Sequence, residues 1–128
     1  MTVHALIRVG ALASVIAMGS CGSLDNPELV RPGAVVNAIE VRNAADQPIT
    51  DLRIGICGET FGFGPDYGYD RLEGDYIPVG GARRFPASPG CYNIAVMIGG
   101  SFFSSGTERF HVVIVPEQSG ALGRWDIQ

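Results

Sequence analysis

The chain has 128 residues, enough for one domain of modest size and no second. Its 18 Gly and 8 Pro are spread between short Val/Ile-rich runs, so the composition reads as strands joined by turns and not as low complexity. All nine basic residues are Arg; with Arg8 assigned to the leader, eight Arg stand against thirteen acids, a net charge of about −5 that repels phosphate backbones and argues against nucleic acid as a partner.

Residues 1–20 have the order of an export signal: a short N-terminal region with Arg8, the apolar run Val9 to Met18, then small residues. Such a run falls short of the roughly twenty residues a helix needs to cross a bilayer core, so it predicts a cleaved signal helix and not a permanent span. At its end, Met18-Gly19-Ser20-Cys21 resembles the bacterial lipobox, in which the Cys receives a diacylglyceryl group and becomes the mature N-terminus. Ordinary signal peptidase cleavage after Gly19, at the small-x-small triplet Ala17-Met18-Gly19, and retention of the leader stay open as alternatives. Of three Cys, one is left over by any pairing, and Cys21 is the natural odd one. Acyl chains such as palmitate at Cys21 give two or more hydrophobic signals, which is what stable anchoring takes.

After Cys21, the stretch to Gly33 carries two Pro and little periodic apolar content, and reads as a flexible tether of roughly 20 Å root-mean-square span. Residues 34–128 are then expected to form a single domain. Val35 to Asn43 and Ile49 to Cys57 alternate apolar with polar residues on either side of a turn at Ala45-Asp46-Gln47-Pro48, which predicts a hairpin. Gly58 to Gly80 reads as a long acidic, aromatic loop with at most a short edge strand. Ala82 to Ala87 follows a Gly80-Gly81 turn, and Ser88-Pro89-Gly90 leads into Cys91 to Ile98, where Tyr92, Ile94, Val96 and Ile98 share a face. Phe102 to Thr107 comes next. The continuous apolar run Phe110 to Val115 predicts a central strand covered on both sides, and Leu122 to Ile127 a short terminal strand. Six to eight short strands and no helix after the leader predict a small antiparallel β-sandwich.

The parity of the two domain cysteines predicts a disulfide. Leu52, Ile54 and Ile56 set the apolar face of one strand, and Tyr92, Ile94 and Val96 that of another, so Cys57 and Cys91 both point to the opposite face at strand ends. In an oxidising compartment such a pair becomes a bridge.

The hairpin pattern Ile39-Glu40-Val41-Arg42-Asn43 through Pro48-Ile49 to Leu52-Arg53-Ile54, with Asp66-Tyr67-Gly68, Asp70-Arg71-Leu72, Ile77-Pro78-Val79-Gly80 and Cys91-Tyr92-Asn93-Ile94-Ala95-Val96, resembles a family of small uncharacterised exported bacterial domains. The resemblance covers residues 35–98 and implies a sandwich-like all-β fold. That family has no settled activity, so the resemblance informs fold and not function.

The chemistry available is sparse. His111 lies within the apolar run and reads as a satisfied strand histidine. The Gly-rich run from Gly58 to Gly64 lacks the Gly-Lys-Ser/Thr ending of a phosphate loop, and no Gly-x-Ser-x-Gly elbow surrounds Ser101, Ser104 or Ser105. Cys57 and Cys91 have no zinc-site spacing. Asp66, Asp70, Glu73 and Asp75 offer oxygen ligands without the spacing of a calcium loop, and read first as a solvated acidic loop. Neither a metal nor a cofactor is expected.

Phe61, Phe63, Tyr67, Tyr69 and Tyr76 interleave with those acids, a composition suited to recognition because aromatic rings give large contact area at low entropy cost; the plainer reading has two or three of them capping the core. The expectation is a non-catalytic binding module anchored to a membrane of the bacterial cell envelope and facing the periplasm or the exterior, with an envelope protein or a glycan as partner. A structural envelope protein is the second reading, and a hydrolase using loop carboxylates the third.

Overall fold

The computed structural model describes residues 29–100 and 105–128. The leader, Cys21, most of the tether and the segment containing Ser101 and Ser104 lie outside the described residues. Eight strands follow in chain order: β1 (Asn37–Asn43), β2 (Ile49–Ile56), β3 (Thr60–Phe61), β4 (Gly64–Pro65), β5 (Ala82–Ala87), β6 (Gly90–Ile98), β7 (Thr107–Val115) and β8 (Leu122–Ile127). No helix occurs among the described residues, and the fold is all-β.

One sheet has the order β5-β1-β8, a second β2-β6-β7, and β3 pairs with β4 in a small ribbon. Every pairing is antiparallel except β1 with β8, which run parallel. Parallel neighbours need a crossover. Here the crossover takes in the whole second sheet, so β1 is laid down early and closed last.

The core lies between the two three-stranded sheets. Ile39 and Val41 of β1, Phe85 and Ala87 of β5 and Ile127 of β8 face Leu52 and Ile54 of β2, Tyr92, Ile94 and Val96 of β6, and Val113 and Val115 of β7. Each fully buried aliphatic or aromatic side chain contributes about 1.5–3 kcal/mol relative to exposure. The alternation in β6, with Tyr92, Ile94, Val96 and Ile98 inward, is the one its sequence predicts.

Three expectations are corrected. Val35 to Asn43 and Ile49 to Cys57 do not form a hairpin, since β1 and β2 belong to different sheets. Alternation tells which face of a strand is buried and not which strand lies beside it, and both edges of β1 are taken by β5 and β8. The connection is an arch, held by Asn43, whose Nδ2 donates to the carbonyls of Gln47 (2.9 Å) and Ile77 (3.0 Å) while its Oδ1 accepts from Ala45 N–H (3.0 Å).

Second, β7 is an edge strand of its sheet and not a central one. Val113 and Val115 point into the core, but Phe110, Val112 and Ile114 are 58, 53 and 61% exposed on the other face. The chain leaves β7 for the first sheet, where β8 pairs with β1. No strand is added beyond β7 among the described residues.

Third, the last residues assigned to the tether are docked. Leu29 is buried; its carbonyl accepts from Ser88 N–H (2.8 Å) and from the Tyr92 hydroxyl (3.1 Å), which also donates to the Ser88 carbonyl. Arg31 N–H donates to Ser88 Oγ (2.7 Å), and its guanidinium to the Pro89 carbonyl (2.8 Å). A polar stretch with Pro gives no periodic signal for such docking, because it works through backbone groups and one Leu.

Candidate functional site

The disulfide organises the outward face of the second sheet. β2 and β6 are antiparallel neighbours, with Ile56 opposite Tyr92, so the next pair outward is Cys57 and Cys91. Their Cα atoms are 5.4 Å apart and the bridge is formed, as strand parity predicts.

From this bridge the chain turns through β3 and β4 and returns across the sheet. Gly55 makes the passage available, because a Cβ there would collide with the Asp66 backbone carbonyl. Arg53 fixes the crossing segment: its guanidinium pairs with both Asp51 carboxylate oxygens (2.9 and 3.1 Å) and donates to the Gly68 carbonyl (3.1 Å). The Asp51 hydrogen bond holds Arg53 in its charged form more firmly than an isolated arginine.

Beyond Gly68 the chain runs along the free edge of β2. Arg71 N–H donates to the Leu52 carbonyl (2.7 Å), Leu52 N–H to Asp70 Oδ1 (3.1 Å), and the Arg71 guanidinium to the Ile54 carbonyl (3.1 Å). Ile77 then bridges Ile49. An uncovered edge strand is a template for aggregation, and this segment covers one.

Of the acids in this segment, Asp70 serves that role directly, Asp66 and Asp75 are engaged elsewhere, and Glu73 is exposed. Asp70 also accepts from Leu72 N–H (3.0 Å), Asp66 accepts from Gly68 N–H (3.0 Å), and Asp75 pairs with Arg83 (2.7 Å). These carboxylates serve backbone groups and an Arg, and among the described residues no three carboxylate, imidazole or thiol groups gather around one point.

The five aromatic residues singled out from the sequence separate. Phe61 and Phe63 stand out on the β3–β4 ribbon, Tyr76 is exposed elsewhere, and Tyr67 and Tyr69 are half-buried. None caps the core. Tyr69 lies against the Arg71 guanidinium, 5.0 Å from its ring centre.

Tyr67 meets Phe110 of β7, with ring centres 5.9 Å apart and planes tilted by 45°. The two rings overlook an open groove of about 890 Å³ whose floor includes Asp51, Arg53, Ala95, Met97 and Glu108. A hollow of about 390 Å³ adjoins it beside Asn93 and Val112. Aromatic faces next to a fixed Arg–carboxylate pair suit a ligand with both an apolar surface and hydrogen-bonding groups.

Phe110 was not legible as a site residue, because a continuous apolar run signals burial on both faces. Neighbouring His111 faces the other way and stacks on Trp125 of β8, ring centres 5.1 Å apart.

The chain matches no protein-family model, no curated protein and no solved structure. The resemblance carried by residues 35–98 therefore rests on those residues alone.

Proposed function

We propose that the chain is an exported lipoprotein, acylated at Cys21, whose β-sandwich is a non-catalytic binding module of the cell envelope with the outward face of β2, β6 and β7 as its ligand surface. The observation that carries this reading is the pair Tyr67 and Phe110 above a groove whose Arg53–Asp51 pair is fixed in place. The formed disulfide agrees with an oxidising compartment. The engagement of Asp66, Asp70 and Asp75 favours binding over acid–base chemistry at that loop.

Two measurements test the two halves separately. Intact-mass analysis of membrane fractions is expected to give a chain starting at Cys21 with acyl additions; a soluble, unmodified chain starting at Ser20 would refute the anchor. An envelope component, protein or glycan, retained by the immobilised wild-type chain is expected to be lost with Tyr67→Ala and with Phe110→Ala, both folded. Retention unchanged by both substitutions refutes the groove.

A further inference from the structure

The strand registers place several chain segments at one end of the sandwich. Asn37 lies opposite Ala87, Ala38 opposite Leu122, Ile56 opposite Tyr92, and Gly90 opposite Val115, so the start of β1, the end of β2 and the β5–β6 and β7–β8 turns share that end. The chain arrives there through Leu29, clamped by Ser88 and Tyr92. The β3–β4 ribbon departs from the same end, beginning at Thr60 shortly after Cys57 is tied to Cys91.

Exposed apolar side chains collect at these points. Val35 and Val36 immediately precede β1 and are both exposed, and on the ribbon Phe61 is 81% and Phe63 fully exposed. A solvent-facing Phe has no polar atom to gain from water, and two on a ribbon of four strand residues cannot turn inward without dismantling it.

We propose that this end of the domain is a lipid-contact surface, with Phe61 and Phe63 lodged at the headgroup boundary of a bilayer and Val35-Val36 exposed at the same end. Four side chains fall far short of the about 20–30 residues a side of a standard protein interface, whereas a bilayer boundary accepts aromatic rings singly. The polypeptide path points the same way. Cys21 precedes Leu29 by eight residues, which reach at most about 28 Å when extended, so acylation there brings this end and not the opposite one to the membrane. The inference deepens the envelope reading by naming the bilayer as a partner of the folded domain itself. Because the chain is acidic, the contact is apolar and not electrostatic, and it persists at high salt.

Depth-dependent tryptophan quenching tests it. The full-length gene is expressed and the exported protein recovered in a Trp125→Phe background, with a single Trp introduced by Phe63→Trp or, at the opposite end, by Tyr76→Trp. Each is mixed with phosphatidylcholine vesicles carrying brominated acyl chains. The Phe63→Trp protein is expected to shift to the blue and be quenched, at low and high salt alike, while Tyr76→Trp stays unshifted.

Quenching at neither position, or at both equally, overturns the proposal. So does a blue shift at position 63 that needs protein concentration and no vesicles, which would assign the ribbon to self-association. The mass of the same sample reports whether Cys21 is acylated. An acylated chain without quenching at 63 leaves the anchor standing and removes the lipid-contact surface; quenching at 63 in an unacylated chain does the reverse.

Discussion

Asn37 and Asn43 close the two ends of β1 from its inward face, and each carboxamide holds a different connection. Asn37 donates to the carbonyls of Pro116 and Gln118 (both 2.8 Å) and accepts from Gly120 N–H (3.0 Å), fixing the turn that returns β7 to β8. Asn43 holds the arch from β1 to β2 and the Ile77 carbonyl. Both are buried, so removing either leaves backbone groups without partners. Asn37→Ala and Asn43→Ala are each expected to cost about 2–3 kcal/mol in denaturant unfolding. The two connections share no contact, so the double variant should add to within about 0.5 kcal/mol. A strongly non-additive double variant would show that the two ends of β1 are coupled.

Reduction of Cys57–Cys91 tests how firmly the ends of β2 and β6 are tied within the second sheet. The bridge spans a sequence separation of 34, for which the chain-entropy account gives about 4 kcal/mol. For a domain of this size that corresponds to a fall in melting temperature of roughly 15–30 °C. Cys57→Ala with Cys91→Ala should reproduce the reduced protein. If both forms melt within a few degrees of the oxidised one, the reduced chain is held by other contacts at that end.

What the sequence revealed and what it hid follow from the range of each signal. Period-two alternation around Leu52, Ile54 and Tyr92, Ile94, Val96 is local, and it gave strand, inward face and the outward pairing of Cys57 with Cys91. Sheet membership is not local. β1 and β2 are neighbours in sequence, yet the parallel partner of β1 is β8, on the far side of the whole second sheet. Phe110, Val112 and Ile114 carry the same apolar character as Val113 and Val115, so composition could not separate the exposed face of β7 from its buried one. The acids of the 58–80 segment read as solvated because nothing in Asp70 itself announces that Leu52 N–H will need an acceptor.

Glu40 gives a pH dependence. It is buried at the centre of β1, opposite Arg84 on β5 and Arg124 on β8, with oxygens 2.8 and 3.6 Å from their guanidinium nitrogens. The Arg84 hydrogen bond holds its carboxyl below the ordinary value of 4.5, against the opposing effect of burial and with help from the charges of Arg124 and Arg42. A depressed folded pKa stabilises the fold above the unfolded value, and that contribution is lost as pH falls through the folded value. Glu40→Gln should therefore melt lower than wild type at neutral pH, with the gap closing as the pH drops below 4.5. A gap independent of pH would assign the effect to packing and not to charge.

Gly55 carries the last prediction, because one missing side chain lets the 66–72 segment lie on the sheet. A Cβ at this position would strike the Asp66 carbonyl and come within 3.1 Å of the Tyr67 Cα; both are backbone, so no rotamer change relieves the clash. Gly55→Ala must push the segment outward. The ties that resist are Arg53 to the Gly68 carbonyl and the Leu52, Asp70 and Arg71 hydrogen bonds along β2. Overpacking of this kind costs about 1–3 kcal/mol. The substitution is expected to lower the denaturant midpoint and to speed hydrogen exchange at the Leu52 and Arg71 amides, whose partners move away. Amides of the β6–β7 pairing, such as those of Ile94 and Val96, should stay protected. Tyr67 would also leave Phe110, so any ligand retained by the groove should be bound more weakly even where the domain stays folded. An unchanged midpoint with Leu52 and Arg71 still protected would mean that the segment does not rest on β2 at Gly55, and the groove beside Tyr67 would lose its wall.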